Sequence, residues 1–231
     1  NLQVEVIATN LTDAIIADEN GADRLELVTG IVEGGLTPSY GLIDAVVQKV
    51  NIPVNVIVRP HSQSFYYNDD DLRTMLTDIR TIKKIGASGI VIGALTREND
   101  INTEAMKRLL SEADELDVTF HRAFDKIEDQ VQALNVLSQF PQIKRVLTSG
   151  GKDAAMHSIR QIKKLVHSAT DTSLTVMAGH GLTIEGLEEF LLQTNVEEVH
   201  FGSAVRVHND YLRPIQGDKI KTIKNIVNVL G

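Results

Sequence analysis

A single (β/α)8 barrel is the fold class this sequence predicts, and three observations carry it. Short apolar runs alternate with longer amphipathic ones through eight complete units. The 231 residues are ample for one large core and too few for two typical domains. No low-complexity linker or shift in composition divides the chain, so residues 1–231 read as one domain.

In order, strand and helix pair as Gln3–Ala8 with Leu11–Asn20, Arg24–Val28 with Ser39–Val50, and Pro53–Val58 with Asp69–Ile85. Gly89–Gly93 precedes Thr103–Ala113, and Asp117–His121 precedes Ile127–Leu137. Arg145–Ser149 leads to Asp153–His167, Leu174–Met177 to Ile184–Thr194, and Glu198–Gly202 to Asp218–Leu230. The helices rest on period: Leu72, Met75, Leu76, Ile79 and Ile82 recur three and four apart, as do Ile220, Ile223, Ile226, Val227 and Leu230. Asn68, Asn102 and Thr183 stand where N-caps belong, Gly21 and Gly86 where helices stop, and Pro38 and Pro53 at boundaries. Strands alternating with helices imply a parallel sheet covered by helices. An open doubly wound sheet also accommodates the pattern, because periodicity does not record closure.

Composition narrows the function classes. The formal net charge is −8, with both signs interspersed and no Lys/Arg stripe, which argues against nucleic acid as a partner. No apolar run approaches the roughly 18 residues that span a bilayer, and no signal-peptide pattern opens the chain, so no membrane partner is expected. The sequence holds no cysteine, which excludes disulfides, thiolate zinc sites and cysteine nucleophiles and fits a reducing, cytoplasmic location.

Alternate residues of a barrel strand face the helices and the barrel axis. Placing Val4, Val6, Leu25, Leu27, Val54, Val56, Val58, Val118, Phe120, Val176, Val199 and Phe201 outward turns Glu5, Glu26, Asn55, Arg59, Thr119, His121, Met177, His200 and Gly202 inward. Barrel interiors are ordinarily filled by branched aliphatic residues. Two glutamates, two histidines and an arginine there must pair, hold a ligand, or face a wet cavity. Structural pairs such as Glu5–Arg59 or Glu26–Arg59 are one solution; a working site at the C-terminal rim is the other.

Several strand exits carry chemistry. Val58–Tyr67 (VRPHSQSFYY) sets Arg59 and His61 before an aromatic cluster, a combination suited to an anion with Phe65, Tyr66 and Tyr67 as pocket wall or as plain packing. Thr119–Asp125 (TFHRAFD) offers His121 as acid, base or ligand, Arg122 for an anion, and Asp125 either to orient His121 or to pair with Arg122. The glycine-rich exits LTSGG, MAGHG and FGSA place Ser149, Gly150, Gly179, Gly202 and Ser203 where backbone N–H groups can cradle an anion, although such turns also need glycine for geometry alone. EGGLTP at 33–38 shapes the rim beside Glu26, and His208 and Asp210 fall in an irregular stretch exposed to solvent.

At these residues the chain resembles the CutC family, named for copper homeostasis. The matching segments are NGADRLEL at 20–27, EGGLTPS at 33–39, IVRP at 57–60, VTFHRAFD at 118–125, RVLTSG at 145–150, MAG at 177–179 and EVH at 198–200. The resemblance implies a TIM barrel, a cytoplasmic location, a homodimer or larger homo-oligomer, and copper binding. It also implies that Glu26, Arg59, His121, Arg122, Asp125, Ser149 and His200 line the family's pocket. Some members carry cysteines in the first strand, where this chain has Val6, Ile7 and Ala8. Cu(I) favours sulfur ligands, and Met177 is the one inward sulfur here, so Glu26, His121 and His200 suit a divalent ion better. Three functions stay open: copper-associated homeostasis with Glu26, His121, Met177 and His200 as metal ligands; a lyase or isomerase for a small anionic or phosphorylated metabolite; and a divalent-metal hydrolase. In the second, Glu26 and His121 share proton transfer, Asp125 orients His121, and Arg59, His61, Arg122 and the glycine exits hold the anion. No organic cofactor is indicated.

Overall fold

The computed structural model describes residues 1–231 and shows eight parallel strands closed into a barrel in sequence order. The strands are β1 (Gln3–Ala8), β2 (Arg24–Leu27), β3 (Val54–Ile57), β4 (Gly89–Ile92), β5 (Asp117–Phe120), β6 (Ile143–Thr148), β7 (Thr175–Gly179) and β8 (Glu198–Phe201). Closure is the pairing of β1 with β8, where Val4 lies opposite Val199 and Glu5 opposite His200. The helices are α1 (Leu11–Glu19), α2 (Tyr40–Lys49), α3 (Asp69–Ile85), α4 (Thr103–Ser111), α5 (Gln130–Leu137), α6 (Ile159–Ala169), α7 (Leu187–Thr194) and α8 (Gly217–Leu230). No helix is long and apolar enough to cross a membrane.

The outward strand faces and inward helix stripes form one apolar layer, including Val4, Leu25, Val56, Ile90, Phe120, Val199 and the α3 residues Met75, Ile79 and Ile82. Each such side chain contributes about 1.5–3 kcal/mol on burial, so this ring is the main source of stability. Asn68 and Asp71 close a reciprocal capping box on α3, and Gly86, at φ +99°, ends it.

Three helices begin later than the sequence predicts. The chain between β5 and α5 is a 3-10 turn over Arg122–Lys126, and Asp129 caps α5 by accepting from the Gln132 N–H. After β6, Gly150 and Gly151 take positive φ and Ala154 is extended, so only a 3-10 turn (Ala155–His157) precedes α6. Thr183 does not cap α7; its hydroxyl accepts from the Gly186 N–H, and the helix starts one residue beyond.

Inside, the barrel is layered. Its floor is a chain of buried ion pairs joining strand starts. Arg24 Nε donates to Glu5 at 2.6 Å, and Arg24 Nη2 donates to Glu198. Arg145 Nε donates to Glu198 at 3.0 Å, and its Nη1 donates to Asp117 and to Thr119 Oγ1. Asn55 Nδ2 completes the chain on Asp117 at 2.9 Å. Above this lies a separate apolar cluster of Ile7, Val28, Ile57 and Val91, and above that the strands open onto a cavity.

Candidate active site at the barrel mouth

The cavity has a volume of about 850 Å³ and sits over the C-terminal ends of the strands. Ile7, Ile57 and Leu147 form its apolar base, with Glu26, His121 and His200 around them. Its rim is electrically divided. Arg122, Lys126, Lys152 and His180 come from the loops after β5, β6 and β7, while Glu33 and Asp210 come from those after β2 and β8. No salt bridge involves Lys126 or Lys152; Arg122 pairs with Asp125.

His200 and Glu26 form one half of the chemistry. The His200 Nδ1 lies 2.7 Å from Glu5 Oε1, and its Nε2 lies 3.9 Å from Glu26 Oε1. Burial alone would raise the Glu5 carboxyl, but the Arg24 guanidinium and His200 overcome it and hold Glu5 well below the usual range. Burial pulls the His200 value down, and the hydrogen bond to Glu5 with the nearby Glu26 charge outweighs it, raising the net value. The charges agree: Glu5, Glu198 and Asp117 outnumber Arg24 and Arg145 by one, and a His200 imidazolium restores neutrality. Glu26 has no such network. Burial, with the Glu5 charge behind it, pushes its carboxyl up to about 7 against the opposing pull of His200. A carboxyl with that affinity for a proton is suited to accept and return one at neutral pH.

His121 forms the other half. Its Nδ1 accepts the backbone N–H of Ala123 at 3.1 Å. A backbone N–H can only donate, so the neutral ring must carry its proton on Nε2. That Nε2 is buried without a partner. Burial, reinforced by the Arg59 and Arg122 charges, pushes the imidazole down to about 3, so it is neutral at physiological pH. Phe65 walls the ring at a centroid distance of 5.2 Å. An unmet buried donor costs about 1–3 kcal/mol, which an acceptor oxygen of a ligand would recover.

The CutC family model matches residues 2–205. The chain belongs to the CutC family. It is 41% identical over 199 residues to the CutC family protein of Pasteurella multocida, covering 86% of this chain and 81% of that one. It is 40% identical over 197 residues to the human copper homeostasis protein cutC homolog, covering 85% and 71%. The crystal structure of CutC from Streptococcus agalactiae superposes with a TM-score of 0.82 at 34% identity, covering 87% and 98%. The family thus ties this chain to copper homeostasis proteins.

Within this CutC-family barrel the residues singled out in the sequence separate. Glu26, His121, His200, Arg59, Arg122 and Asp125 border one cavity. Asp125 does not orient His121: its carboxylate accepts from Arg122 Nε, Thr148 Oγ1 and the Ser149 N–H and hydroxyl, binding the β5 and β6 exits together. Ser149 and Gly150 do not offer a cradle, because their N–H groups already donate to Asp125 and Thr148 Oγ1. Gly179 and Gly202 clear space for side chains. A Cβ on Gly179 would stand 2.9 Å from His200 Cβ, and one on Gly202 2.5 Å from Tyr211 Cε1. Ser203 begins the short turn that follows Gly202 and does not border the cavity.

Arg59 pairs with neither Glu5 nor Glu26. Its Nη1 donates to the carbonyls of Glu33 and Gly35, fixing the EGG turn, and its guanidinium lies 4.8 Å from the Phe65 ring centre. His61 stands outside the cavity, with Nε2 3.1 Å from Asp71. Of the aromatic cluster, Phe65 is cavity wall, Tyr66 stacks under Arg97 at 4.1 Å, and Tyr67 packs edge-on to His61 at 5.6 Å.

The structure also supplies residues that sequence reasoning missed: Arg24, Arg145, Glu198 and Asp117 in the floor, and His180, Tyr211 and Leu212 at the rim. Arg206, fully buried, anchors the loop bearing Tyr211 through Asp13 at 2.8 Å and the Ile7 and Arg213 carbonyls.

The donors do not fit a resident copper ion. Met177 Sδ faces the cationic Arg24 Nη2 at 3.4 Å, on the floor rather than beside Glu26. Binding a metal through His121 Nε2 would move the ring proton to Nδ1, where it would oppose the Ala123 N–H. Glu26 and His200 remain as an oxygen and a nitrogen donor, and no group of three or more His, Cys, Asp or Glu residues gathers at metal-holding distance.

Proposed function

We propose that this CutC-family chain serves copper homeostasis as a small-molecule pocket protein, taking an anionic organic ligand at the barrel mouth. The observation that carries this reading is the partnerless His121 Nε2–H, buried at the wall of a cavity whose opposite chemistry is the free carboxyl of Glu26. A ligand oxygen accepts from His121, and its anionic group is drawn to Arg122, Lys126 and Lys152. Copper enters this reading through the family's biology rather than through a cage built of Glu26, His121, Met177 and His200. A cytoplasmic location and a homodimer or larger homo-oligomer belong to the same proposal and rest on the family resemblance.

Calorimetric titration with a panel of small organic phosphates and carboxylates tests it. At least one member should bind, with affinity falling at least about tenfold in His121→Ala, the worth of one hydrogen bond to a buried group. Cu(I) and Cu(II) titrations of the same variant should be unchanged from the parent. No binding across the panel, or tight copper binding abolished by His121→Ala or Met177→Ala, would contradict the proposal.

A further inference from the structure

We infer that the cavity catalyses a 1,2-proton transfer in a short α-hydroxycarbonyl compound bearing an anionic group, interconverting hydroxyaldehyde and hydroxyketone. This inference rests on the ligand pocket proposed above and goes beyond it to a reaction. Enolisation needs a base beside a C–H bond and a neutral donor at the adjacent carbonyl oxygen. The wall of one cavity provides both: a Glu26 carboxyl that makes no hydrogen bond, and an imidazole whose proton is fixed on Nε2 by the Ala123 N–H. A neutral imidazole can lend a proton to a developing enediolate without first becoming an imidazolium. Its backbone bond fixes the His121 tautomer, and burial, reinforced by two guanidiniums nearby, keeps the ring neutral.

The step balances without a co-reactant. The Glu26 carboxylate takes the proton from the hydroxyl-bearing carbon, and the C–H electron pair becomes the C=C bond of an enediolate. Charge gathers on the old carbonyl oxygen, against His121 Nε2–H. The hydroxyl proton crosses to that oxygen through the imidazole, and Glu26 returns its proton to the former carbonyl carbon. Ile7, Ile57 and Leu147 form an apolar base under the enediolate. Arg122, Lys126 and Lys152 lie on the side of the mouth that receives the anionic group, opposite Glu33 and Asp210. His200, held by Glu5, is a positioning residue that sets the Glu26 carboxyl from 3.9 Å away.

The test is exchange of carbon-bound hydrogen for deuterium in D2O, followed by proton NMR. The intact protein is incubated with short hydroxyaldehydes and hydroxyketones, each as phosphate ester, as carboxylate and uncharged. At least one charged compound should lose its carbon-bound proton signal, and its uncharged counterpart should react more slowly. Glu26→Gln should lower the rate by about 1,000-fold. His121→Ala should raise KM about tenfold, matching the lost ground-state hydrogen bond, and lower kcat by a further factor of about 100 through loss of the donor to the enediolate. In parallel, the His121 Nε2–H resonance reports occupancy. A compound that moves this resonance while no panel member exchanges overturns the reaction and leaves the binding site standing. A resonance unmoved by every compound removes both, and exchange unaffected by Glu26→Gln overturns the assigned base.

Discussion

Arg24→Met is expected to destabilise the protein by about 3–5 kcal/mol, because it takes the shared guanidinium away from two buried carboxylates. Arg24 lies between Glu5 and Glu198, whose side chains are 1% and 11% exposed. Removing the guanidinium leaves both charges in the barrel floor and weakens the field that keeps Glu5 ionised opposite His200. Chemical denaturation should show the loss, with a melting temperature lower by on the order of 10 °C for a chain of this size. Arg73→Ala is the control: its pair with Asp70 is exposed at 65% and 83%, and such pairs are worth about 0–1 kcal/mol. Equal losses from the two variants would refute the view that the floor is a coupled buried chain.

Gly93→Ala is expected to weaken ligand binding by at least about tenfold, as His121→Ala does, while leaving the barrel folded. The added Cβ would lie 2.5 Å from His121 Cε1 and 2.7 Å from its Nδ1, so the imidazole must leave its bond to Ala123. A displaced imidazole no longer offers its Nε2–H to the ligand, and one hydrogen bond to a buried group accounts for a loss of that size. Gly93 does not adopt a positive φ, so alanine itself strains no backbone there. Gly41→Ala is the comparison, because the nearest atom to its new Cβ is Ser39 Oγ at 4.0 Å, and a helical glycine replaced by alanine gains about 0.5–1 kcal/mol. Calorimetry on the ligand panel reads the first variant and thermal melting the second; undiminished binding in Gly93→Ala would show that His121 does not hold the ligand.

These two positions illustrate what the sequence discloses. The alternation Leu25, Leu27 and Val199, Phe201 turns Glu26 and His200 inward, and the structure places both at the cavity. The same alternation carried one step back turns Arg24 and Glu198 inward too. Their place at strand starts makes them resemble ordinary loop-edge charges, though a closed parallel barrel gathers its strand starts into one floor. Roles that depend on a neighbouring unit are harder to see. Asp125 and His121 are four residues apart, yet the partners that claim Asp125 arrive from β6. The glycine at each strand exit is plain in the sequence, but whether it bares an N–H or makes room is decided across the barrel: His121 reaches under Gly93 from β5, and His200 under Gly179 from β8. His180 and Tyr211 lie in irregular loops where no period points inward.

Titration of the protein followed by imidazole nitrogen–proton NMR, from about pH 8 to pH 4, probes the site most directly. His121 should remain a neutral Nε2–H tautomer throughout, since its native value is about 3. The unfolded chain takes up a proton near pH 6.5 that native His121 refuses, so this residue costs stability increasingly as pH falls below that value. His200 should stay protonated above pH 6.5, in line with its raised value. A His121 ring that protonates near pH 6.5, or one with its proton on Nδ1 and Nε2 free to take copper, would contradict the proposed donor and the pocket built around it.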